Sequence, residues 1–332
     1  MYLSICIPSY NRPMELKRLI ESIDCSFSDL EVCICEDKAP KRLEVRKMVK
    51  SLKTKYVINY YENNNNLGYD ANLRELISKA KGKWVIFMGD DDVFIPGELD
   101  KYIKFLKKSE DCGYILRSYK NKYKDGREEQ FIYYAGDRHF EKGIDAYLEL
   151  FRKSTFISGY TFQKDFVLDT LTDQFDSSLL YQLYMVAELT LNYPSAYYST
   201  PFTMAYEGGE FFFGSSETER KYFKPNTIDV DGQVYFIGSY FKITDYIDEK
   251  YRILSTPIIK NQFSKYSYPL LAFVRNNGRR DFKKFKKELE KMGLNSSLLF
   301  YVYYYSLLLF GTRITKNIIM LIKRVMGRTP NL

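Results

Sequence analysis

The sequence has few of the residues on which many catalytic centres depend. Its 332 residues include one histidine, one tryptophan and five cysteines. A single imidazole excludes a multi-histidine metal site, so any mechanism based on histidine would have to use His139. His139 lies in the charged segment 137–139, which is more typical of a surface residue than of a catalytic base. Carboxylates are therefore the main candidates for catalytic groups.

The five cysteines form neither a disulfide framework nor a metal-binding motif. Their number is odd, and Cys33 and Cys35 are spaced like two residues on the same face of a strand. The sequence opens on an apolar, strand-like run without a basic segment before it, which is not the pattern of a secretory signal peptide. We therefore expect reduced thiols and a cytoplasmic protein.

Long hydrophobic runs are also missing. The apolar segment 298–310 has 13 residues, fewer than the roughly 20 that a membrane-spanning helix needs. A hydrophobic content of 45% and a charged content of 28% are ordinary for a folded chain and exclude a disordered, collagen-like or polytopic membrane protein. The sequence is rich in aromatic residues, with 31 Tyr and 24 Phe, and its net charge of +8 suits an anionic partner such as nucleic acid, an acidic membrane or a phosphorylated ligand.

Two hydrophobic periodicities alternate over the first 110 residues. Strand-like runs at 3–8, 30–35, 56–61 and 84–88 alternate with helical spacing at 16–23, 41–52 and 73–80. This alternation predicts an α/β fold with a largely parallel sheet, in which ligands bind beyond the carboxyl ends of the strands. Polar residues follow three of those strands, at 9–12, 36–37 and 90–92.

The pattern changes along the rest of the chain. We expect strands at 114–123 and 131–134, helices at 144–151 and 179–191, and a glycine-hinged loop at 207–218. From residue 234 onwards, the pattern predicts helices, and basic residues are frequent. These patterns predict a domain at 1–230, with halves at 1–110 and 111–230, and a helical extension at 231–332.

The aspartates at 90–92 are the strongest chemical signal. Three carboxylates at the end of a buried strand favour a bound cation, and oxygen ligands suit Mg²⁺ or Mn²⁺. A solvated acidic turn, or a cap for a helix beginning near Pro96, would explain the same residues equally well.

Four segments in order resemble the family 2 glycosyltransferases with the GT-A fold, a Rossmann-like fold with a mostly parallel central sheet. They lie at 4–13, 36–37, 66–72 and 82–92, and the resemblance extends over residues 2–108. The variants Asn-Leu-Gly at 66–68 and Gly-Asp-Asp-Asp at 89–92 are most similar to the abequosyltransferase-like branch, which builds bacterial O-antigen.

The resemblance implies a nucleotide-sugar site. It assigns the base pocket to Pro8, Tyr10 and Arg12, and a hydrogen bond with a base N–H to Asp37. The remaining donor-binding residues would be Asn66, Gly68, Asn72 and, near the ribose, Asp90. Asp91 would hold Mn²⁺ or Mg²⁺, with Asp92 either ligating the ion or orienting its ligands. Gly89 occupies the position of the family's usual first aspartate, so the frame of ligands departs from the family pattern.

The catalytic base is the least determined residue. Inverting members of the family use an acidic residue of the second half, in a pair that follows a Phe-Asp segment. Phe175-Asp176 is present, but the pair is replaced by Tyr181-Gln182. The candidates are Asp176, Glu188 and Asp173, each of which could instead cap a helix or be a solvated charge.

The C-terminal tail combines basic and apolar patterns. Residues 275–291 contain eight Lys or Arg. A helical apolar stripe follows at Ile314, Ile318, Leu321, Ile322 and Val325, and it is surrounded by Arg313, Lys316, Lys323, Arg324 and Arg328. This pattern predicts attachment to an anionic membrane surface, and the alternative is a helical pair packed on the catalytic domain. No nucleic-acid-binding module is recognisable.

Together, the resemblance and the pattern of the C-terminal tail imply a metal-dependent, inverting glycosyltransferase at the inner face of the cell membrane. It would transfer a sugar from a nucleotide-sugar donor to a hydroxyl of a polyprenyl-diphosphate-linked glycan, in bacterial surface polysaccharide synthesis. A non-catalytic binding scaffold of the same fold and a nucleotidyltransferase are the alternatives. The second would need a glycine-rich phosphate loop after the first strand, where residues 8–12 contain no glycine.

Overall fold

A computed structural model describes residues 1–325, and their side chains up to residue 321. The tail residues Ile322, Lys323, Arg324, Val325 and Arg328 therefore lie outside the described side chains. The chain divides into two compact units, Met1–Thr227 and Ile228–Leu332. The first unit is an α/β fold, and the second consists of helices in its described part.

The first half of the α/β unit has the predicted alternation of strands and helices. Its elements are β1 (Leu3–Ser9), α1 (Pro13–Glu21), β2 (Leu30–Glu36), α2 (Arg42–Ser51), β3 (Val57–Glu62), α3 (Tyr69–Lys79) and β4 (Trp84–Phe87). The four strands are parallel and ordered β3-β2-β1-β4. β1, β2 and β4 are buried almost throughout, which explains why their sequences are continuous apolar runs.

The second half extends this sheet and adds a smaller one. It contains β5 (Val93–Phe94), α4 (Glu98–Leu106), β6 (Tyr114–Arg117), β7 (Tyr119–Lys122), β8 (Glu128–Phe131), β9 (Arg138–Phe140), α5 (Ile144–Leu150), β10 (Tyr160–Gln163), α6 (Tyr181–Asn192), β11 (Ser195–Tyr198) and β12 (Thr203–Tyr206). The large sheet continues from β4 as β10-β6-β11-β9, and β10 runs antiparallel to β4. The small sheet has the order β5-β12-β7-β8.

Two sequence predictions in this half were wrong in detail. The single strand expected at 114–123 is two strands, because the chain leaves the large sheet at Ser118 and enters the small one. Arg117 is fully buried at the end of β6, whereas β7 is half-buried, so the two halves of the run lie in different environments. The strand expected at 131–134 ends at Phe131 as β8.

The helical unit contains α7 (Val230–Tyr251), α8 (Thr256–Lys265), α9 (Tyr268–Asn276), α10 (Arg279–Lys291) and α11 (Leu298–Val325). α11 is interrupted at Gly311, whose φ of 73° and ψ of 179° are accessible almost only to glycine. Nε of Arg275 donates to the carbonyl of Leu307, 3.0 Å away, in the turn that precedes this break. Among the described residues, no helix is both long enough and apolar enough to cross a bilayer.

Candidate functional site

The carboxyl ends of β1, β2 and β4 bring the predicted polar segments together. The backbone N–H of Asp37 donates to the carbonyl of Ser9, at 3.1 Å. The carboxylate of Asp90 accepts from the backbone N–H of Tyr10 at 3.0 Å and from the guanidinium of Arg12 at 2.7 Å. Residues about 80 positions apart therefore form one cluster, as the parallel order of the strands requires.

The three aspartates of the triplet lie in different surroundings. Asp90 is buried beneath Tyr10 and Arg12, and burial raises its pKa to about 6. Asp92 is also buried, and burial raises its pKa to about 7. The side chain of Asp91 is 26% exposed, and its carboxylate lies 3.1 Å from the Arg12 guanidinium. Gly97, rather than an aspartate, is the N-cap of α4, so the helix-cap explanation of the triplet was wrong.

The residues around Asp91 fit a divalent cation. Asp91 offers carboxylate oxygens, the ligands that Mg²⁺ and Mn²⁺ prefer, whereas Asp90 and Asp92 are held by hydrogen bonds within the protein. Asp91 is the one carboxylate of the triplet that is turned towards solvent. A Cβ atom on Gly209 would lie 2.7 Å from Oδ2 of Asp91, so the glycine keeps the space beside this oxygen open.

Asp37 organises the turn that leads into α3. Its carboxylate accepts from Nδ2 of Asn63 at 2.8 Å and from the backbone N–H groups of Leu67 and Gly68, both at 2.9 Å. Only 4% of Asp37 is exposed, and burial raises its pKa to about 6. Gly68 has a φ of +84°, a conformation that side chains rarely adopt. Asp37 therefore shapes this turn.

The other two residues of the predicted segment at 66–72 support the same turn. Oδ1 of Asn66 accepts from the backbone N–H of Gly68, at 3.1 Å. Asn72 accepts from Nδ2 of Asn63 at 3.0 Å and donates to the carbonyl of Cys35 at 3.1 Å. These two side chains hold the backbone in place from beneath the site.

The loop after β12 lies against the same cluster. Arg12 donates to the carbonyl of Glu210, and its guanidinium carbon is 5.0 Å from the centre of the Phe212 ring. Phe212 also packs edge-on against Tyr10, with ring centres 5.5 Å apart. The glycine-hinged loop predicted at 207–218 thus contacts Tyr10 and Arg12, two of the residues that the resemblance assigns to the base pocket.

Glu219 is a residue that sequence reasoning missed. It lies in a short 3-10 helix, Glu219–Lys221, and is 3% exposed. Oε1 accepts from the backbone N–H of Tyr69 at 2.8 Å, and Oε2 accepts from that of Gly214 at 3.0 Å. The carboxylate connects the turn before α3 to the end of the loop, over a separation of about 150 residues.

The candidates for the catalytic base occupy three different environments. Asp176 is half-buried, and Oδ2 accepts from Arg74 at 2.6 Å. Burial raises its pKa to about 6, although the Arg74 charge lowers it. Its Oδ1 is buried and has no hydrogen-bond partner among the described residues. Asp173 is exposed, and Glu188 is 1% exposed on α6.

Gln182 stands on α6 where the family pattern places an acidic pair. Nε2 donates to the carbonyl of Thr155 at 2.9 Å, and Oε1 is buried without a hydrogen-bond partner in the part of the chain that the structure describes. Asp70, on α3, accepts from the backbone N–H groups of Leu179 and Tyr181 at 2.7 and 2.9 Å. The segment that leads into α6 is therefore fixed against the first half of the α/β unit.

Two further residues that the sequence analysis considered are Pro8 and His139. Pro8 lies in β1, in register with Cys35 of β2, and is half-buried. His139 is exposed on β9, the strand at the far edge of the large sheet, and its Nε2 lies 3.0 Å from Asp111.

Comparisons with known proteins agree with this architecture. The sequence profile described as Glycosyl transferase family 2 matches residues 4–169, half of the chain. The chain is 32% identical over 102 residues to "Abequosyltransferase RfbV" of Salmonella typhimurium, a match that covers 30% of this chain and 31% of the relative. It is 32% identical over 100 residues to "GalNAc(5)-diNAcBac-PP-undecaprenol beta-1,3-glucosyltransferase" of Campylobacter jejuni, covering 29% and 32%. The matches thus span about a third of these curated relatives.

A solved structure of S. aureus TarS, residues 1–349 in complex with UDP-GlcNAc, is similar over 100% of this chain and 93% of its own. Its TM-score is 0.60 at 13% sequence identity, so it supports the fold alone. The predicted α/β fold with a mostly parallel sheet followed by helices is confirmed. By the profile match over half of its length, the chain belongs to glycosyltransferase family 2.

Proposed function

We propose that this protein transfers a glycosyl group from a nucleoside-diphosphate sugar to an acceptor hydroxyl. The observation that carries the proposal is the partly exposed carboxylate of Asp91, which lies beside Arg12 and Gly209 at the carboxyl end of β4. Asp91 would hold Mg²⁺ or Mn²⁺, with Asp92 buried behind it. The bound ion would act as a Lewis acid and stabilise the charge of the leaving diphosphate.

The donor would lie along the ends of β1 and β2. Tyr10 and Phe212 offer ring faces for the base, and Arg12 offers positive charge for the phosphates. An ionised carboxylate accepts hydrogen bonds but cannot donate them, so Asp37 suits the imide N–H of uracil or thymine. Asp90, held by Tyr10 and Arg12, would approach the ribose.

We propose Asp176 as the base in a single displacement with inversion. It is the candidate that combines partial exposure with a buried carboxylate oxygen that has no partner among the described residues. The partly exposed Asp176 carboxylate would take the proton of the acceptor hydroxyl, with Arg74 holding Oδ2. Glu188 is buried on α6 and Asp173 is exposed, so neither has comparable surroundings.

We propose a lipid-linked glycan of the bacterial surface as the acceptor, in O-antigen or related polysaccharide synthesis. Support comes from the names of two relatives, one an abequosyltransferase and the other a glucosyltransferase acting on a PP-undecaprenol-linked glycan. The abequosyltransferase-like form of the motifs at 66–68 and 89–92 points the same way.

We also propose that the helical unit attaches the protein to the inner face of the cell membrane. Residues 228–332 contain 18 basic and 8 acidic side chains, so the net charge of this unit is +10, whereas that of residues 1–227 is −2. On α11, Phe300, Tyr304 and Leu307 are buried, whereas other apolar side chains are exposed. The exposed set is Leu298, Leu299, Val302, Tyr305, Leu309, Phe310, Ile314, Ile318 and Leu321. An exposed apolar stripe within a basic unit suits an anionic lipid surface.

Sedimentation with anionic vesicles tests this attachment. The double variant Leu309→Glu/Ile318→Glu should lose most of its binding, because it puts charge on the exposed stripe. Met14→Glu/Leu43→Glu makes the same change at exposed apolar positions of the α/β unit and should bind like the wild type. Equal binding by both double variants would remove the membrane proposal.

Turnover tests the transferase. The protein is incubated with a panel of nucleotide sugars, with and without Mn²⁺, and release of the nucleoside diphosphate is measured. We expect metal-dependent release from at least one donor, its loss in Asp91→Ala, and its retention in Asp24→Ala, which removes an exposed carboxylate after α1. Metal-dependent nucleotide binding without release would favour the non-catalytic scaffold, which the glutamine at position 182 also favours.

A further inference from the structure

Ser158 connects two parts of the aspartate turn. Its Oγ accepts from the backbone N–H of Gly89 at 2.9 Å and donates to Oδ2 of Asp92. Ser158 is fully buried and lies two residues before β10, about 70 positions along the chain from the turn that it contacts. One hydroxyl thus holds both the first and the last residue of the Gly-Asp-Asp-Asp segment.

The position of this hydroxyl is itself fixed. The carbonyl of Ser158 accepts from Nε and Nη2 of Arg117, at 3.0 and 2.7 Å, and Arg117 is fully buried at the end of β6. Nη2 of Arg117 also donates to the carbonyl of Phe156, at 2.7 Å. The next residue, Gly159, donates to the carbonyl of Phe87 in β4, at 2.8 Å. Ser158 is therefore anchored to the strand that carries the triplet.

The contact also explains the glycine at position 89. A Cβ atom there would lie 3.1 Å from Oγ of Ser158 and 3.2 Å from Oδ1 of Asp91, closer than most side-chain contacts. A larger residue would have to displace the hydroxyl or the Asp91 carboxylate. The departure from the family pattern at Gly89 and the presence of a serine at 158 thus belong to one local arrangement.

Asp92 is fully engaged in this arrangement. Oδ2 accepts from Ser158, Oδ1 accepts from the backbone N–H of Tyr206 at 3.3 Å, and its own N–H closes the turn onto the carbonyl of Gly89 at 3.2 Å. Asp91 is left as the carboxylate that faces outwards. The direction in which it points depends on the turn that Ser158 and Asp92 hold.

We propose that Ser158 is a positioning residue for the cation site: through Gly89 and Asp92 it fixes the turn that presents the Asp91 carboxylate. This inference rests on the proposed function, because it takes Asp91 as the residue that holds the cation. Ser158 touches neither the cation nor the donor. Partners that orient a metal ligand typically change metal affinity or activity by about 10–100-fold when they are removed.

Direct binding of Mn²⁺ to the full-length protein tests the proposal, with free Mn²⁺ measured by electron paramagnetic resonance. Ser158→Ala should bind Mn²⁺ at least about tenfold more weakly than the wild type. The matched control is Ser154→Ala, which removes another fully buried hydroxyl, bonded to Tyr114 and Leu150 instead of to the turn. Thermal unfolding of both variants shows how much stability each hydroxyl contributes.

The possible results separate this inference from the proposed function. Weaker Mn²⁺ binding in Ser158→Ala but not in Ser154→Ala, with both variants folded, supports the positioning role. Wild-type Mn²⁺ affinity in folded Ser158→Ala, together with loss of binding in Asp91→Ala, overturns the role of Ser158 alone. Failure of the wild-type protein to bind Mn²⁺ overturns both. Equal weakening in the two serine variants would indicate a general loss of structure and also contradict the proposal.

Discussion

Replacement of Glu219 by alanine gives the sharpest test of how the donor pocket is held together. The carboxylate is buried and accepts two backbone N–H groups, those of Tyr69 and Gly214. Alanine would leave both donors without this acceptor. Each unsatisfied buried donor costs about 1–3 kcal/mol. Alanine also removes a buried negative charge, and the desolvation cost that is saved offsets part of the loss. We therefore expect the free energy of unfolding to fall by about 3 kcal/mol.

That loss should be visible both globally and locally. One kcal/mol shifts the melting temperature of a domain of this size by roughly 2–4 °C, so Glu219→Ala should melt about 6–12 °C lower. Hydrogen exchange followed by mass spectrometry should show faster exchange in the peptides that contain residues 66–72 and 207–218, because these contain the two amides. Nucleotide affinity should fall as well, since we propose that both segments line the donor site.

Glu217→Ala is the matched control, because it removes an exposed carboxylate two residues away. We expect its melting temperature and its exchange pattern to resemble those of the wild type. The reasoning is refuted if Glu219→Ala melts within 1 °C of the wild type, or if its faster exchange is spread over the α/β unit instead of concentrated in the two segments.

Two further variants test the cation site and the base. Gly209→Val should weaken Mn²⁺ binding at least about tenfold, because its Cβ would lie 2.7 Å from Oδ2 of Asp91; unchanged affinity would show that the loop does not approach this carboxylate. If Asp176 is the base, kcat/KM should decline below about pH 6, where its carboxylate becomes protonated. Arg74→Gln should move this decline to higher pH, because the Arg74 charge lowers that pKa, and a pH profile identical to the wild type would exclude the role.

The fold of the first half could be predicted from the sequence because its signals are local. Continuous apolar runs identify β1, β2 and β4 as strands buried on both faces, and helical spacing identifies α1 and α3. The prediction for the second half was less accurate. The continuous strand-like run at 114–123 gives no local signal that the chain passes from one sheet to the other at Ser118. That change depends on which strands pair, and pairing is not local.

The candidate site also combines features that local sequence predicts with features that depend on tertiary contacts. The carboxylates at 90–92 were recognisable because they follow a strand directly, but their different surroundings were not. Asp92 is enclosed by Ser158 and Tyr206, which lie far along the chain, whereas Asp91 remains exposed. Glu219 resembles an ordinary surface glutamate in sequence, since its neighbours are charged, and only tertiary contacts reveal its burial.

We propose that Asp91 holds a cation through which the protein binds the diphosphate of its donor. Isothermal titration of the wild type and of Asp91→Asn with UDP, dTDP, GDP and CDP, each with and without Mn²⁺, tests it most directly. We predict that at least one nucleoside diphosphate binds the wild type much more tightly with Mn²⁺, and that this dependence disappears in Asp91→Asn. Equal affinity with and without Mn²⁺, or wild-type behaviour of folded Asp91→Asn, would contradict the claim.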